Sequence, residues 1–145
     1  MKTKFFPCFM GLACCCLSIL SACDHSSPSP NSSCDAPLPL LLGEVTLVDN
    51  YQINDALLLE SCLYVQLSHS GGCAEHAYAL KWNGALAESM PPQAYLHIEH
   101  QDGGDMCEAL ITKDLFFDLN PLLDTPYSQI IIHINGWGES LLWSE

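Results

Sequence analysis

Apolar and polar side chains alternate with a period of two through much of the chain, which is the pattern of strands with one buried face. Within residues 62–69, Leu63, Val65 and Leu67 fall on one side of an extended chain. Two later segments repeat the pattern, with same-face residues His76, Tyr78, Leu80 and Trp82 in one, and Ala94, Leu96, Ile98 and His100 in the other. All three segments are therefore predicted to be strands.

The remaining segments extend this mainly β prediction. Residues 130–134 are nearly all β-branched, which predicts a central strand, and Asn120-Pro121 within 116–123 indicates a short helical turn. Residues 53–60 fit either a strand or a helical turn, and no segment sustains the 3.6-residue apolar period of a helix. Short strands separated by turn sequences predict a single small antiparallel β-sandwich or barrel-like domain over residues 43–145.

The first 22 residues have the layout of a signal peptide. Lys2 and Lys4 precede an apolar run of 16 residues, 5–20, whereas a membrane-spanning helix needs about 20. We therefore predict a cleaved export signal over 1–22.

The end of this segment, Leu20-Ser21-Ala22-Cys23, resembles the lipobox of bacterial lipoproteins, in which a large apolar residue and two small ones precede a cysteine. The resemblance implies that diacylglycerol is attached to the Cys23 thiol and that cleavage makes Cys23 the new N-terminus. Acyl chains such as palmitate would then hold the protein on a lipid bilayer. The implied location is the cell envelope, facing the periplasm, with the inner and the outer membrane both open.

Residues 23–42 are predicted to be a tether between this anchor and the domain. Serine and proline are frequent between Asp24 and Pro39. Such a segment stays extended and solvated because it has little apolar area to bury.

Processing makes the chain more acidic. Loss of Lys2 and Lys4 takes the formal net charge from −13 to −15, and the sequence has no arginine. A surface of this charge repels phosphate backbones, so we expect no nucleic-acid partner, whereas divalent cations are tolerated better.

Cysteine use indicates disulfide bonds. Four of the nine cysteines leave with the signal peptide and Cys23 is taken by lipid, which leaves Cys34, Cys62, Cys73 and Cys107. An even number of thiols in an oxidising compartment predicts two disulfides, and the sequence alone leaves all three pairings open.

Two cysteine-containing motifs carry a second resemblance. The segments Gly71-Gly72-Cys73-Ala74-Glu75-His76 and Gly104-Asp105-Met106-Cys107-Glu108-Ala109 look like the GGCxxH and GDxCEA segments of a group of uncharacterised bacterial secreted and lipoprotein domains. The likeness covers roughly residues 60–145. It implies one exported domain and brings no activity with it.

The same region holds residue types that bind metal ions. Cys73, His76, His100 and Cys107 could supply the tetrahedral sulfur and nitrogen ligands that suit zinc, or could bind copper. An oxidising compartment instead favours a disulfide between Cys73 and Cys107, so the metal site is the alternative. Calcium at 102–105 with Glu108 is less favoured, because the spacing is not that of a calcium loop.

These observations favour a non-catalytic envelope module that binds an unknown ligand, such as an envelope protein or a glycan, and needs no cofactor. The alternative function is a metal-binding lipoprotein using zinc or copper. A weaker alternative is an envelope hydrolase, for which the sequence offers no Gly-x-Ser-x-Gly elbow.

The lipobox generates a direct prediction. Replacement Cys23→Ser should abolish incorporation of labelled palmitate and release the protein from the membrane fraction, because only a cysteine thiol at that position accepts the lipid. Cys16→Ser, inside the signal peptide, is the matched control and should leave labelling unchanged. Equal labelling of both variants would contradict the assignment of Cys23.

Overall fold

A computed structural model describes residues 34–46 and 49–145. The predicted signal peptide, the predicted lipidation site Cys23 and most of the predicted tether lie outside these residues. Within the described ranges, no helix is long and apolar enough to cross a membrane.

The described chain is almost entirely β, which confirms the predicted fold class. Its elements in chain order are β1 (Leu38–Leu42), β2 (Gln52–Leu59), β3 (Cys62–Gly71), β4 (Ala77–Trp82), β5 (Gln93–Gln101), β6 (Ala109–Asp118), α1 (Asn120–Leu123), β7 (Gln129–Ile134) and β8 (Ser140–Ser144). The segment that fitted a strand or a helix is strand β2, and the helical turn predicted at Asn120-Pro121 is α1.

The eight strands form one curved sheet in the order β2-β3-β6-β1-β4-β5-β7-β8. Its edge strands β2 and β8 approach each other, so the sheet nearly closes into a barrel. Four of the strand pairs are antiparallel and three are parallel, because β1 runs parallel to β4 and β6, and β5 runs parallel to β7. Parallel neighbours need a long connection, and between β5 and β7 strand β6 and helix α1 supply it.

Strand β1 lies inside the range predicted as tether. The serine- and proline-rich composition of 23–42 favoured a tether, although the range ends in an apolar run. In the structure Leu40 of this run is buried in the barrel. A disulfide between Cys34 and Cys62 joins the chain just before β1 to the start of β3. The sheet therefore includes Leu38–Leu42.

The core lies inside the barrel and follows the predicted alternation. Every second residue of β3, β5 and β7 points inward and is buried: Leu63, Val65, Leu67, Ala94, Leu96, Ile98, Ile130, Ile132 and Ile134. Leu119 and Leu122, around α1, are fully buried in the same core.

We expect Leu63→Ala to lower the free energy of unfolding by about 2–5 kcal/mol, since Leu63 is fully buried and truncation leaves a cavity. Leu142→Ala on β8 is the control, because that side chain is 58% exposed and its loss should change stability by less than about 0.5 kcal/mol. Urea unfolding of both variants with the disulfides intact measures the difference. A similar loss for the two would contradict the inward orientation of Leu63.

Candidate metal centre

Three histidines end the inward-facing rows of three strands. His69 follows Leu63, Val65 and Leu67 on β3, and His100 follows Ala94, Leu96 and Ile98 on β5. His76 comes just before β4, on the side that continues to Tyr78 and Leu80. From the strand directions, the ends of β3 and β5 and the start of β4 lie at the same end of the barrel. The three imidazoles therefore meet there.

All three rings are removed from solvent. His69 is 4% exposed and His100 is 1% exposed, and the side chain of His76 is 5% exposed. Buried polar groups need hydrogen-bond partners, so the partners of these rings define what the cluster can do.

One nitrogen of each ring is bonded to an oxygen atom at the edge of the cluster. His69 Nδ1 lies 2.9 Å from the backbone oxygen of Ser70, and His100 Nδ1 lies 3.3 Å from that of Asp49. His76 Nε2 lies 3.1 Å from Oδ2 of Asp105. Because the partner in each contact is an oxygen acceptor, the outer nitrogen is the donor in each ring whose hydrogen it carries. Histidines that bind metals show this arrangement, with one nitrogen donating to a carbonyl or carboxylate and the other facing the ion.

The remaining nitrogens are His76 Nδ1 and His100 Nε2, which face each other, and His69 Nε2, which faces the Tyr78 hydroxyl. His76 Nδ1 and His100 Nε2 are 2.9 Å apart, and the three rings can each place a nitrogen within 4.8 Å of the others. Tetrahedral ligands 2.0–2.1 Å from zinc are about 3.3 Å apart, so an ion needs this pair to open by only about 0.4 Å. Without an ion, this 2.9 Å contact is a hydrogen bond in which one of the two nitrogens donates to the other.

Tyr78 completes the inner side of the cluster. Its hydroxyl donates to His69 Nε2 over 2.6 Å, and its ring stacks on His100 with centroids 5.1 Å apart. Burial raises the pKa of Tyr78, so its hydroxyl stays a donor. Burial lowers the pKa of His100, which favours the neutral imidazole that binds metal ions.

Asp105 fixes His76 from outside. Its Oδ2 accepts from three successive backbone amides, those of Gly72 (2.7 Å), Cys73 (2.9 Å) and Ala74 (2.9 Å). Its Oδ1 accepts from the amide of Cys107 at 2.9 Å. These hydrogen bonds, that of Cys107 first, hold the pKa of Asp105 well below its usual range. An ionised carboxylate in a nest of amides is a rigid acceptor for His76.

Gly71 makes this close packing possible. Its φ is +149°, and a Cβ at that position would lie 2.7 Å from the His76 ring. Any other residue would push the imidazole away from Asp105.

A disulfide joins Cys73 to Cys107 on either side of Asp105. The alternative metal set of Cys73, His76, His100 and Cys107 is corrected accordingly, because sulfurs bonded to each other offer no thiolate. The structure brings His76 and His100 together and adds His69, which sequence reasoning missed. The signal was available, since His69 continues the inward row of β3.

The acidic turn at 102–105 is not arranged for calcium. The carboxylate of Asp105 is turned to amide donors, and Asp102 Oδ1 accepts from the Gly104 amide at 2.7 Å. Asp102 and Asp105 therefore stabilise the backbone conformation by accepting hydrogen bonds from its amides.

No protein-family model and no curated protein matches this sequence. Two solved structures share its fold. A protein of unknown function, DUF1344, from Bacteroides vulgatus is 15% identical over 75% of this chain, with a TM-score of 0.54. A NigD-like immunity protein from Bacteroides caccae is 18% identical over 73% of this chain, with a TM-score of 0.53. The chain spans 57% of each of these proteins. At this identity the likeness concerns the fold alone.

We expect Asp105→Asn to lower the melting temperature of the metal-free protein by roughly 5 °C or more, because an amide cannot accept all five hydrogen bonds of the carboxylate. Glu108→Gln, an exposed acid in the same segment, is the control and should have little effect. Thermal unfolding followed by circular dichroism compares them. Equal melting temperatures would contradict the role given to Asp105.

Proposed function

We propose that this protein is a membrane-anchored envelope lipoprotein whose β domain binds one transition metal ion on His69, His76 and His100. The observation that carries the proposal is that the two nitrogens of each ring have different surroundings. In each imidazole one nitrogen lies within hydrogen-bond distance of an oxygen atom at the edge of the cluster, and the three rings can each place a nitrogen within 4.8 Å of the others.

The donor set selects the class of ion. Three imidazole nitrogens suit zinc and copper, whereas calcium and magnesium prefer oxygen ligands. Asp105 would not bind the ion itself. Its carboxylate contacts the His76 ring, which it orients and makes more basic.

The proposed location is compatible with this chemistry. The anchor would be Cys23, and the compartment outside the cytoplasm would keep the four domain cysteines paired. A site built from imidazoles does not depend on reduced thiols. The net charge of −15 after processing also favours divalent cations near the surface.

The test uses the full chain, produced without a histidine tag, extracted in detergent and stripped of metal. We expect one zinc or copper ion per chain, measured by elemental analysis after dialysis and by isothermal titration. His69→Gln and His100→Gln should each weaken binding at least about 10-fold, since each removes one of three ligands. Cobalt loading should add the visible spectrum of a nitrogen-ligated ion.

His97→Gln and His133→Gln are matched controls, because these histidines lie on β5 and β7 outside the cluster. Both should bind metal like the unaltered protein. Thiol titration of the unfolded, unreduced protein should find no free thiol. Full binding by the His69 and His100 variants, or equal loss in the controls, would overturn the assignment.

A further inference from the structure

A cavity of about 520 Å³ opens to the surface beside the histidine cluster. Its walls include His69, His76 and Tyr78 from the cluster, and Ile111, Lys113 and Leu115 from β6. Ligand sites for small molecules generally have volumes of 300–1,000 Å³ with apolar walls and a few polar groups. This cavity has that size and that mixture.

The three histidines leave one coordination position of a four-coordinate ion open. Structural zinc sites use four protein ligands, whereas sites with three keep a fourth position for water or an external ligand. The three imidazoles here supply three nitrogens, and two of these rings line the cavity. The fourth position of an ion in the cluster is therefore expected to face that cavity.

Tyr78 lies in the cavity wall next to His69. Its hydroxyl lies 2.6 Å from His69 Nε2, the nitrogen that an ion would take over. Once the ion binds this nitrogen, the hydroxyl is free to donate to whatever occupies the fourth position. A divalent ion with three neutral imidazoles and a hydroxyl donor beside it favours an anionic oxygen.

The acids on the cavity wall do not reverse this preference. Asp114 already accepts from the Tyr64 hydroxyl at 2.8 Å and from Gln66 Nε2 at 3.0 Å. Glu75 is exposed to solvent, and Lys113 places a positive charge on the same wall. Ile111 and Leu115 supply apolar surface next to the polar end.

We propose that this cavity binds a small organic carboxylate, whose head group takes the fourth position on the ion and accepts from Tyr78, and whose apolar part packs on Ile111 and Leu115. The proposal rests on the metal site proposed above. The class of ligand expected at this site is a small organic carboxylate.

The test uses the full chain loaded with cobalt, with one ion per chain first established by elemental analysis. Benzoate is the probe, azide is a small anion that needs only the open position, and benzyl alcohol is the neutral control. We expect benzoate and azide each to shift the cobalt spectrum with one-to-one saturation, and benzyl alcohol to leave it unchanged. Tyr78→Phe should weaken benzoate binding about tenfold, because a hydrogen bond to a charged group is lost.

Ile111→Trp separates the cavity from the ion. Filling the cavity should weaken benzoate binding at least about tenfold, while metal content and the azide response stay as they were. Leu142→Trp, on the exposed side of β8, is the control for the added indole and should behave like the unaltered protein. Circular dichroism verifies that the folded spectrum is retained.

The outcomes separate the two proposals. A chain that retains no cobalt overturns the metal site itself. A loaded chain that responds to neither anion has a closed coordination sphere, which overturns the ligand proposal alone. A response to azide without benzoate, or benzoate binding that Ile111→Trp leaves unchanged, also overturns it, since the cavity would not then be the binding place.

Discussion

The carboxylate of Asp105 accepts hydrogen bonds from four backbone amides and from His76, and both the chain before β4 and the orientation of the His76 ring depend on it. Three of these amides are consecutive, at residues 72–74, so one oxygen fixes the course of the chain between β3 and β4. The disulfide from Cys73 to Cys107 encloses the same carboxylate and joins the two segments that supply its donors. A structure in which Asp105 could turn away would lose the orientation of the His76 ring as well.

The histidines are held by the barrel in a different way. Three inward rows that are apolar along most of their length end in imidazoles at one end of the barrel, next to Leu67 and Ile98. Burying three polar rings there is unfavourable unless each finds partners, and each does so in the backbone, in Tyr78 or in Asp105. The hydrophobic core therefore places the rings, and the hydrogen bonds decide which nitrogen of each ring faces inward.

The strand segments could be predicted from the sequence because alternation is a local property. The neighbours of each strand could not be predicted, since β1 lies between β4 and β6, which are distant from it in the sequence, and its apolar run ends a serine- and proline-rich segment. His69 was missed although it continues the inward row of Leu63, Val65 and Leu67, because a polar residue near the end of a strand also suits the surface. Asp105 lies in a glycine-rich turn where acids are usually solvated, and only the tertiary structure turns its carboxylate toward the amides of residues 72–74.

Sulfur and nitrogen have separate roles in this domain, and the proposed compartment explains why. Cys73 and Cys107 lie beside the cluster and would be attractive zinc ligands if reduced, but oxidation removes thiolates from a protein outside the cytoplasm. As a disulfide they instead stabilise the amide nest around Asp105, and through it the position of His76. The proposed metal site uses imidazoles instead, which oxidation of the cysteines does not affect. In the proposed site, a disulfide beside imidazole ligands would therefore allow metal binding to persist in an oxidising environment.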